Sequence, residues 1–420
     1  MSGAVSLAKE KWLRSKVLQA LLSTLSDGGE EARVAGGAVR NTLLGQPVTE
    51  VDIATTTLPD ETVRRVEAAG FKAVPTGIEH GTVTVVAGGK GYEVTTLRDD
   101  VETDGRRAKV RFGRDWQRDA ERRDFTINAL YATAAGEVVD LVSGRADLDS
   151  RTIRFIGEAE TRIREDYLRI LRFFRFFAWY GAGRPDPEGL KACARLKEGL
   201  DQLSAERVWT ELRKLLSAPD PSRALLWMRQ ASVLSRILPE SEKWGIDLIH
   251  PLVRAEADLG WPADAMLRLE AVLPPDLERV AALAERLKLS TSQAERLKKW
   301  SAESPVPTGT DELALARRLY AGDRQGIVDR LRLSLANTRG KAANDDGALI
   351  EAGSLSRLLG LAEKWEKPAF PLRGRDLSVL GFAEGPRLGD TLKALEAEWV
   401  ASGFVLDRAA LLDRAGAMKA

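Results

Sequence analysis

The chain has few of the residues on which several common kinds of site depend. Its 420 residues include one cysteine, Cys193, so an intramolecular disulfide and a cysteine-based zinc site are both excluded. Histidine occurs only at His80 and His250, which excludes histidine-rich metal chemistry such as a fused phosphohydrolase domain of the His-Asp type. No apolar run approaches the ~20 residues that span a bilayer. The charged N-terminus lacks the apolar stretch of a signal peptide, so we expect a cytoplasmic protein.

The chain also lacks a dominant charge. It has 63 Lys and Arg against 62 Asp and Glu, which leaves a net charge of +1. Any site for a polyanion must therefore come from local clustering of basic residues. At roughly 150 residues per domain, the length predicts two or three domains, each large enough to bury its own core.

The sequence pattern changes near residue 155. Before it, short β-type runs alternate with helical ones, whereas helical periodicity dominates from Ile156 onward. We therefore predict an α/β or α+β domain over 1–155 and an elongated all-helical region over 156–420. Within the first domain the spacing predicts a helix over 7–25, and a helix followed by a strand over 121–140.

A pair of acids carries the first chemistry. Glu50 and Asp52 are separated by one residue on a predicted strand, EVDIATT, so both carboxylates would lie on one face about 6–7 Å apart. Oxygen ligands at that spacing suit hard divalent cations. Two such cations can activate an attacking hydroxyl and stabilise a leaving pyrophosphate.

The residues around this pair are suited to a triphosphate. Gly36 and Gly37 allow the backbone to approach phosphate closely, before a predicted helix start that carries Arg40. Glu93, between apolar neighbours on another predicted strand, is a candidate third metal ligand. Taken singly, a Gly-Gly pair is usually a turn and an acid-x-acid pair usually faces solvent, so the interpretation depends on the combination.

Six segments together carry a family resemblance. They are GGAVRNTLLGQPVTEVDIATT (36–56), PTGIEHGTVTVV (75–86), ERRDFTINALY (121–131), DLVSGRADL (140–148), REDYLRILRFFRF (164–176) and FPLRGRDLSVLGFAEGPRLG (370–389). In this order they resemble the motifs of the class II tRNA nucleotidyltransferase and bacterial poly(A) polymerase family, within the DNA polymerase β superfamily. The last segment resembles the tail of the CCA-adding members.

The resemblance implies an α+β fold, in which a nucleotidyltransferase head with a mixed β-sheet is followed by a helical neck, body and tail. It implies template-independent addition of C, C and A to the 3′ end of tRNA from CTP and ATP, with two Mg²⁺ ions and release of pyrophosphate. Base selection is then expected near 160–216 and RNA binding further along. A poly(A) polymerase on the same scaffold, a partial CC or A activity, and a catalytically weakened RNA-binding relative are the alternatives.

Two positions depart from the family pattern. The family usually has Asp where this chain has Asn41, and Asp-x-Asp where this chain has Glu50-x-Asp52. Glu50 keeps the ligand charge on a side chain longer by one methylene, whereas Asn41 loses a charge. Both changes could lower activity.

The segment at 164–176 offers a way to choose a base. Asp accepts hydrogen bonds and Arg donates them, and cytosine and adenine each present an amino donor beside a ring-nitrogen acceptor. Asp166 and Arg169, at i,i+3 on a predicted helix, match that pattern and mismatch uracil and guanine. The resemblance implies this role for them, with Glu165 orienting Arg169 and with Arg172 also at the nucleotide. The alternative is a solvated helix face with intrahelical ion pairs.

Arg123 and Asp124 are predicted to position the nucleotide. Arg123 would bind the triphosphate, and Asp124 could accept a hydrogen bond from the ribose 2′-hydroxyl. The place of Asp124 before FTINAL equally allows an N-terminal helix cap.

Basic residues recur in two further places. Those between Asp104 and Arg118 predict a mobile basic loop at the mouth of the site, which the resemblance links to the switch from C to A addition: Arg106, Arg107, Lys109, Arg111, Arg114 and Arg118. Others are candidates for RNA contact on the later helices: Arg213, Lys214, Arg296, Lys298, Lys299, Arg317, Arg318, Arg330 and Arg332. Interleaved acids make a solvated helix face the simpler interpretation for any one of them.

Overall fold

Two β-sheets occupy the first part of the chain. The computed structural model describes residues 5–104, 107–242, 244–342 and 345–419, with the backbone alone at 99–104, 107–110 and 419. Its strands are β1 (Ala32–Ala35), β2 (Asp52–Thr55), β3 (Lys72–Gly77), β4 (Thr82–Ala87), β5 (Lys90–Thr96), β6 (Arg98–Asp104), β7 (Arg107–Phe112), β8 (Leu130–Ala132) and β9 (Val138–Asp140). Seven strands form one sheet in the order β3-β4-β5-β2-β1-β8-β9, and β6 pairs with β7 in a separate hairpin.

Helices flank this sheet and follow it. Up to residue 237 they are α1 (Lys16–Leu25), α2 (Gly37–Leu43), α3 (Pro59–Ala68), α4 (Trp116–Glu121), α5 (Gly144–Asp149), α6 (Ala159–Glu165), α7 (Leu168–Tyr180), α8 (Pro187–Arg195), α9 (Ala205–Leu216), α10 (Ser222–Gln230) and α11 (Val233–Ile237). After it they are α12 (Ile249–Leu259), α13 (Ala265–Ala271), α14 (Leu277–Arg286), α15 (Thr291–Ala302), α16 (Glu312–Ala321), α17 (Arg324–Ala342), α18 (Asp346–Lys364), α19 (Gly374–Val379), α20 (Pro386–Ala401) and α21 (Arg408–Lys419). Short 3₁₀ turns lie at Asp27–Gly29, Ile78–His80, Thr126–Asn128, Lys197–Gln202 and Pro239–Ser241.

The predicted mixed sheet is confirmed. β2 and β5 run parallel, and the other strand pairs of the large sheet are antiparallel. Along β4 the apolar residues Val83, Val85 and Ala87 alternate with more accessible ones, as period-2 geometry requires for a sheet with one covered face. The parallel pairing sets Asp52, the first residue of β2, opposite Glu93 of β5.

Three local predictions are wrong. The helix predicted over 7–25 is a helix only from Lys16. The helix predicted within 121–131 is a 3₁₀ turn at Thr126–Asn128, from which the chain passes directly into β8 and β9. Much of the basic loop predicted between Asp104 and Arg118 is the strand β7, followed by α4. In the first and second cases the predicted helical pattern was extended across residues that form turns.

A cluster of phenylalanines holds α7 against the sheet-bearing part of the chain. Phe125 lies 4.9 Å from Phe155 and 5.2 Å from Phe176, and Phe155 lies 5.5 Å from Phe173, between ring centroids. All four rings are buried. Because a buried Phe contributes roughly 1.5–3 kcal/mol through area removed from water, this cluster fixes the place of α7.

The chain divides into two compact units, one ending at Ile237 and the other beginning at Leu238. Among the described residues after Asp140, all the elements are helical apart from an isolated bridge between Phe155 and Phe125. The predicted boundary at residue 155 lies near this change of secondary structure and inside the first unit. The division into a head over 1–155 and a helical region over 156–420 therefore remains a prediction.

The second unit has its own apolar cores. One is built on α16–α18, with Leu315, Ile327, Leu331 and Leu358 at its centre, and another packs α19–α21 around Trp399. Within the described ranges, none of the helices combines the length and the apolar character that crossing a bilayer demands.

Three carboxylates share one arginine inside this second unit. Arg296 of α15 lies 2.6 Å from Asp264, 2.9 Å from Asp329 and 3.7 Å from Glu270. Glu270 and Asp329 are fully buried, and neither carboxylate oxygen of Glu270 has a hydrogen-bond partner. Burial first, and the charge of Asp329 second, raise the pKa of Glu270 well above its usual value.

This raised pKa makes the stability of the second unit depend on pH. Above the usual glutamate pKa the unfolded chain is ionised while the folded chain retains the proton, so stability falls as the pH rises. We expect Glu270→Gln to raise the melting temperature relative to wild type, by an amount that grows from pH 5.5 to pH 8. The matched control is Glu278→Gln, at an exposed position of α14. A melting-temperature difference for Glu270→Gln that does not change with pH would contradict the assignment.

Candidate active site

One cleft in the first unit gathers most of the predicted site residues. It has a volume of about 630 Å³. Its lining comprises Gly36, Gly37, Arg40, Glu50, Asp52, Arg123, Asp124, Asn128, Asp166, Leu168, Arg169, Arg172, Arg175, Phe176 and Arg207. Of the residues predicted to bind the metal or the nucleotide, Glu93 and Glu165 are not part of this lining. The sequence analysis did not identify Asn128, Arg175, Phe176 or Arg207.

The Gly36-Gly37 turn brings backbone close to the cleft. Gly36 has a φ of +62°, a conformation that favours glycine, and it directly precedes α2. A Cβ atom there would lie 3.1 Å from the carbonyl oxygen of Asn128 and 3.5 Å from Nη1 of Arg123. Glycine is therefore required both by the backbone conformation and by the close approach of the turn to its neighbours.

Asp52 lies in a strongly acidic environment. Burial of its carboxylate among protein atoms, and then the charges of Glu93 and Glu50, raise the pKa of Asp52 to about 6, while Arg123 opposes the shift. The side chain itself is accessible from the cleft. Glu50 is exposed and lies two residues before β2, so the prediction that both acids belong to one strand is wrong, although both line the cleft.

This acidic environment fits a divalent cation. A carboxylate whose neighbours are carboxylates gains from a cation that offsets their charges, and Mg²⁺ typically takes one or two carboxylates together with phosphate oxygens. In the part of the chain that the structure describes, no three His, Cys, Asp or Glu side chains converge as a metal site. Asp52 and Glu50 both offer a carboxylate to a cation in this cleft, and their role as metal ligands, like that of Glu93, remains a prediction.

Arg40 is engaged mainly by the protein. It is buried, and its guanidinium donates from Nη1 to Asn128 Oδ1 at 2.5 Å and from Nη2 to the Tyr180 hydroxyl at 2.8 Å. Nε and Nη2 donate to Asn41 Oδ1 at 3.1 and 2.9 Å, and the guanidinium carbon lies 4.0 Å from the centre of the Tyr180 ring. Arg40 thus connects α2 to α7, in addition to lining the cleft.

Asp124 continues this set of contacts from Asn128 to Arg172 of α7. Its Oδ1 accepts from Asn128 Nδ2 at 3.0 Å and from its neighbour's backbone N–H at 2.9 Å, and its Oδ2 accepts from Arg172 at 2.7 and 2.5 Å. Burial would raise the pKa of Asp124, but Arg172 and Asn128 hold it below its usual range. Since these four bonds use the acceptor sites of a carboxylate, a ribose hydroxyl would have to replace one of the donors.

Arg123 is held at the cleft wall. Its guanidinium bonds to the buried carboxylate of Asp119 at 3.2 and 3.3 Å, to the Tyr131 hydroxyl at 3.2 Å and to the Asn128 carbonyl at 3.3 Å. About a fifth of the side chain, 22%, stays accessible. A phosphate oxygen in the cleft could therefore reach it without loss of these contacts.

The predicted base-reading helix is broken at Asp166. α6 ends at Glu165, Asp166 has extended backbone angles of −157° and 108°, and α7 begins at Leu168. The prediction that Glu165, Asp166, Arg169 and Arg172 share one continuous helix is therefore wrong. The break turns the Asp166 carboxylate towards α9, where Oδ2 accepts from Arg207 Nη2 at 2.6 Å.

The contact predicted between Glu165 and Arg169 is present. Glu165 forms ion pairs with Arg169 and with Arg162, the latter at 2.7 Å. Arg169 also donates to the backbone carbonyl of Arg162 at 2.6 Å. Each half of the predicted base reader is thus held by a charged partner outside the pair, Arg207 for Asp166 and Glu165 for Arg169.

Many of the predicted RNA-contacting cations bind acids or carbonyls of their own unit. Arg296 pairs with Asp264 and Asp329, Lys299 with Asp323 at 3.0 Å, and Arg332 with Glu363 at 2.7 Å. Arg317, Arg318 and Arg330 donate to backbone carbonyls. In the predicted basic loop, Arg114 pairs with Glu30 at 2.5 Å, Arg106 lies outside the described residues, and Arg107 and Lys109 are described by backbone alone.

Two family models match this chain. The Poly A polymerase head domain matches residues 32–154, and the model described as "Probable RNA and SrmB- binding site of polymerase A" matches residues 184–244. The mitochondrial CCA tRNA nucleotidyltransferase 1 of Danio rerio is 34% identical over 395 residues, covering 91% of this chain and 86% of the relative. The chain belongs to the CCA tRNA nucleotidyltransferase family.

Other members of the family are similar along most of their length. The CCA-adding enzyme of Levilactobacillus brevis is 33% identical over 402 residues, covering 93% of this chain and 95% of the relative. The crystal structure of the Bacillus stearothermophilus CCA-adding enzyme with CTP superposes with a TM-score of 0.73 at 27% identity, covering 96% and 97% of the two chains. The Thermotoga maritima CCA-adding enzyme complexed with tRNA_CCA, at 20% identity and a TM-score of 0.63, shares the fold.

The raised pKa of Asp52 gives a test of the site that needs no substrate. Because the folded state retains the proton until about pH 6, ionisation of Asp52 lowers stability as the pH rises through the range between ~4 and 6. In EDTA we expect Asp52→Asn to be more stable than wild type at pH 7.5, by about 1 kcal/mol once solvent screening is allowed for, and equal to it at pH 4.

Chemical denaturation at both pH values measures this difference. The matched control is Asp149→Asn, which changes an exposed aspartate outside the cleft. Equal stability of Asp52→Asn and wild type at pH 7.5 would contradict the proposed electrostatics.

Proposed function

We propose that this member of the CCA tRNA nucleotidyltransferase family adds C, C and A to the 3′ end of tRNA from CTP and ATP. The observation that supports this most strongly is the shared cleft: Glu50 and Asp52 line it together with Asp166 and Arg169. A nucleotide bound in that cleft would have its phosphates near Glu50 and Asp52. Its base would lie near Asp166 and Arg169. The names of the relatives, which are CCA-adding enzymes from bacteria and vertebrates, point the same way.

The reaction is an in-line displacement. The 3′-hydroxyl oxygen of tRNA forms a bond to the α-phosphorus of the nucleotide, the bond from that phosphorus to the bridging oxygen breaks, and pyrophosphate leaves with the electron pair while the hydroxyl proton passes to solvent. Two Mg²⁺ ions held by Asp52 and Glu50 would supply activation of the hydroxyl and charge stabilisation of the pyrophosphate. Arg123 offers N–H donors to the phosphates from the wall of the cleft.

The base would be selected by a pattern of donors and acceptors. Asp166 accepts from the amino group of cytosine or adenine, and Arg169 donates to the adjacent ring nitrogen. Uracil and guanine would place a carbonyl against the aspartate and an N–H against the arginine. An unpaired buried polar group of this kind costs ~1–3 kcal/mol, so the pair can reject both bases without a template.

The cellular location and the region that binds RNA remain predictions from the sequence. The cytoplasmic location is still a prediction, because the vertebrate relatives are named as mitochondrial. The assignment of RNA binding to the later helices is likewise a prediction. Because many arginines there already bind acids or carbonyls, exposed residues such as Arg213 and Lys298 are the better candidates for RNA contact.

Product analysis tests the function. With tRNA that lacks its 3′ end, we expect CTP alone to add two residues, CTP with ATP to add CCA, and ATP alone to add nothing. Asp52→Ala should lower incorporation by about 10³-fold, since metal stabilisation of the transition state contributes several kcal/mol. Long tails from ATP alone on many RNAs would indicate a poly(A) polymerase, and no incorporation by wild type would indicate an RNA-binding relative.

Base selection has its own test. A full exchange of Asp166 and Arg169 would bring Arg next to Arg207 and Asp next to Glu165, so Asp166→Asn is the milder change. An amide can donate as well as accept, so we expect the ratio of kcat/KM for UTP to that for CTP to rise by about 10-fold or more. Asp149→Asn should leave the ratio unchanged. An unchanged ratio in Asp166→Asn would refute the base-reading role.

A further inference from the structure

The side chain of Asn41 has two different partners. Its Oδ1 accepts from Nε and Nη2 of Arg40, and its Nδ2 donates to the backbone carbonyl of Pro47 at 3.1 Å. A guanidinium has no acceptor, so the amide oxygen must face Arg40 and the amide NH₂ must face Pro47. The orientation of this amide is therefore determined by its surroundings.

The segment that receives this bond has few other restraints. α2 ends at Leu43, and β2 begins at Asp52. The backbone N–H of Gln46 donates to the carbonyl of Asn41 at 2.8 Å. Among the described residues, the backbone from Pro47 to Glu50 makes no hydrogen bond apart from the one to the Asn41 side chain. Asn41 thus holds two consecutive residues at the start of the segment that carries Glu50.

An aspartate could not make both contacts. It would still accept from Arg40, but it would present a carboxylate oxygen to the Pro47 carbonyl, where two acceptors repel each other. The family usually has Asp at this position, and it also usually has Asp where this chain has Glu50. The two departures from the family pattern, Asn41 and Glu50, therefore involve one short segment: Asn41 contacts it at Pro47, and Glu50 lies within it.

We propose that Asn41 is a positioning residue for Glu50. Its hydrogen bond to the Pro47 carbonyl fixes the path of the segment 46–51, which carries Glu50. Glu50 is the third residue after Pro47, at a distance of at most ~10 Å along the chain, so a displacement at Pro47 is passed on to the acid. Glu50 has a longer side chain than Asp, and the anchored segment would hold its carboxylate at the cleft that Asp52 also lines. This inference rests on the proposed metal-binding role of Glu50 and Asp52.

The direct test is the affinity of the protein for Mn²⁺ alone, measured by electron paramagnetic resonance without nucleotide. Asn41→Ala removes the donor, and Asn41→Asp replaces it with a charged acceptor of the same shape. We expect both variants to bind Mn²⁺ about fivefold more weakly, the amount that one net hydrogen bond represents. A simple effect of charge would have the opposite sign for Asn41→Asp, because an added carboxylate attracts the cation.

Tyr180→Phe is the matched control. It removes another hydrogen bond to Arg40 but leaves Pro47 untouched, so the affinity for Mn²⁺ should stay at the wild-type value. In a Glu50→Ala background, Asn41→Ala should cause no further loss, since the acid that it positions is absent. Melting temperatures in EDTA verify that each variant is folded.

Three results would overturn the inference: wild-type affinity in Asn41→Ala, an equal loss in Tyr180→Phe, or a further loss in the Glu50→Ala background. The readout does not depend on nucleotidyl transfer. Failure of the proposed function would appear as absent incorporation of CTP by wild type, while the Mn²⁺ measurements would still decide the role of Asn41.

Discussion

A buried chain of hydrogen bonds from Arg40 to Arg172 is the constraint on which the site depends. Arg40 donates to Asn128, Asn128 donates to Asp124, and Asp124 accepts from Arg172. Asn128 and Asp124 are each 9% exposed and Arg40 7%, so each polar group needs its partner to offset the loss of water. Because α2 carries one end of this chain and α7 the other, the glycine turn and the base-reading residues occupy fixed positions relative to each other.

The apolar packing supports the same arrangement. Phe176 lines the cleft, with the guanidinium of Arg175 at 4.3 Å and that of Arg172 at 5.4 Å from its ring centre, and its ring lies 5.2 Å from that of Phe125 in the phenylalanine cluster. Cation–π contacts of this kind hold arginines in place without using their N–H donors. The positive charge of the cleft is thus held in place by aromatic contacts as well as by acids, since Arg172 also pairs with Asp124 and Arg175 with Glu211.

Sequence motifs predicted the components of the site better than their geometry. Gly36, Asp52, Arg123 and Asp166 were identifiable because each belongs to a short segment of recognisable composition. The break at Asp166 was not identifiable, since one extended residue inside an otherwise helical pattern leaves the i,i+3 spacing unchanged. Arg207 was missed for a different reason: its partner lies 41 residues away, and no local pattern encodes such a pair.

The fold was predictable to a similar degree. Short β-type runs predicted the sheet of the first 155 residues, and helical periodicity predicted the helical region that follows. The 3₁₀ turn at Thr126–Asn128 was assigned as a helix because its residues are compatible with either form, and strand pairing of β8 with β1 decided the outcome. The position of Glu50 outside β2 likewise depends on where pairing with β1 and β5 ends, which is a property of the sheet and not of the segment.

The central claim is that one nucleotide spans this cleft, with its phosphates at Asp52 and its base at Asp166 and Arg169. A crystal structure with bound CTP and Mn²⁺, phased to show the anomalous signal of manganese, tests it most directly. The claim predicts manganese density beside the carboxylates of Asp52 and Glu50, and the amino edge of cytosine within hydrogen-bond distance of Asp166. Manganese remote from both acids, or a cytosine ring outside the reach of α7, would contradict it.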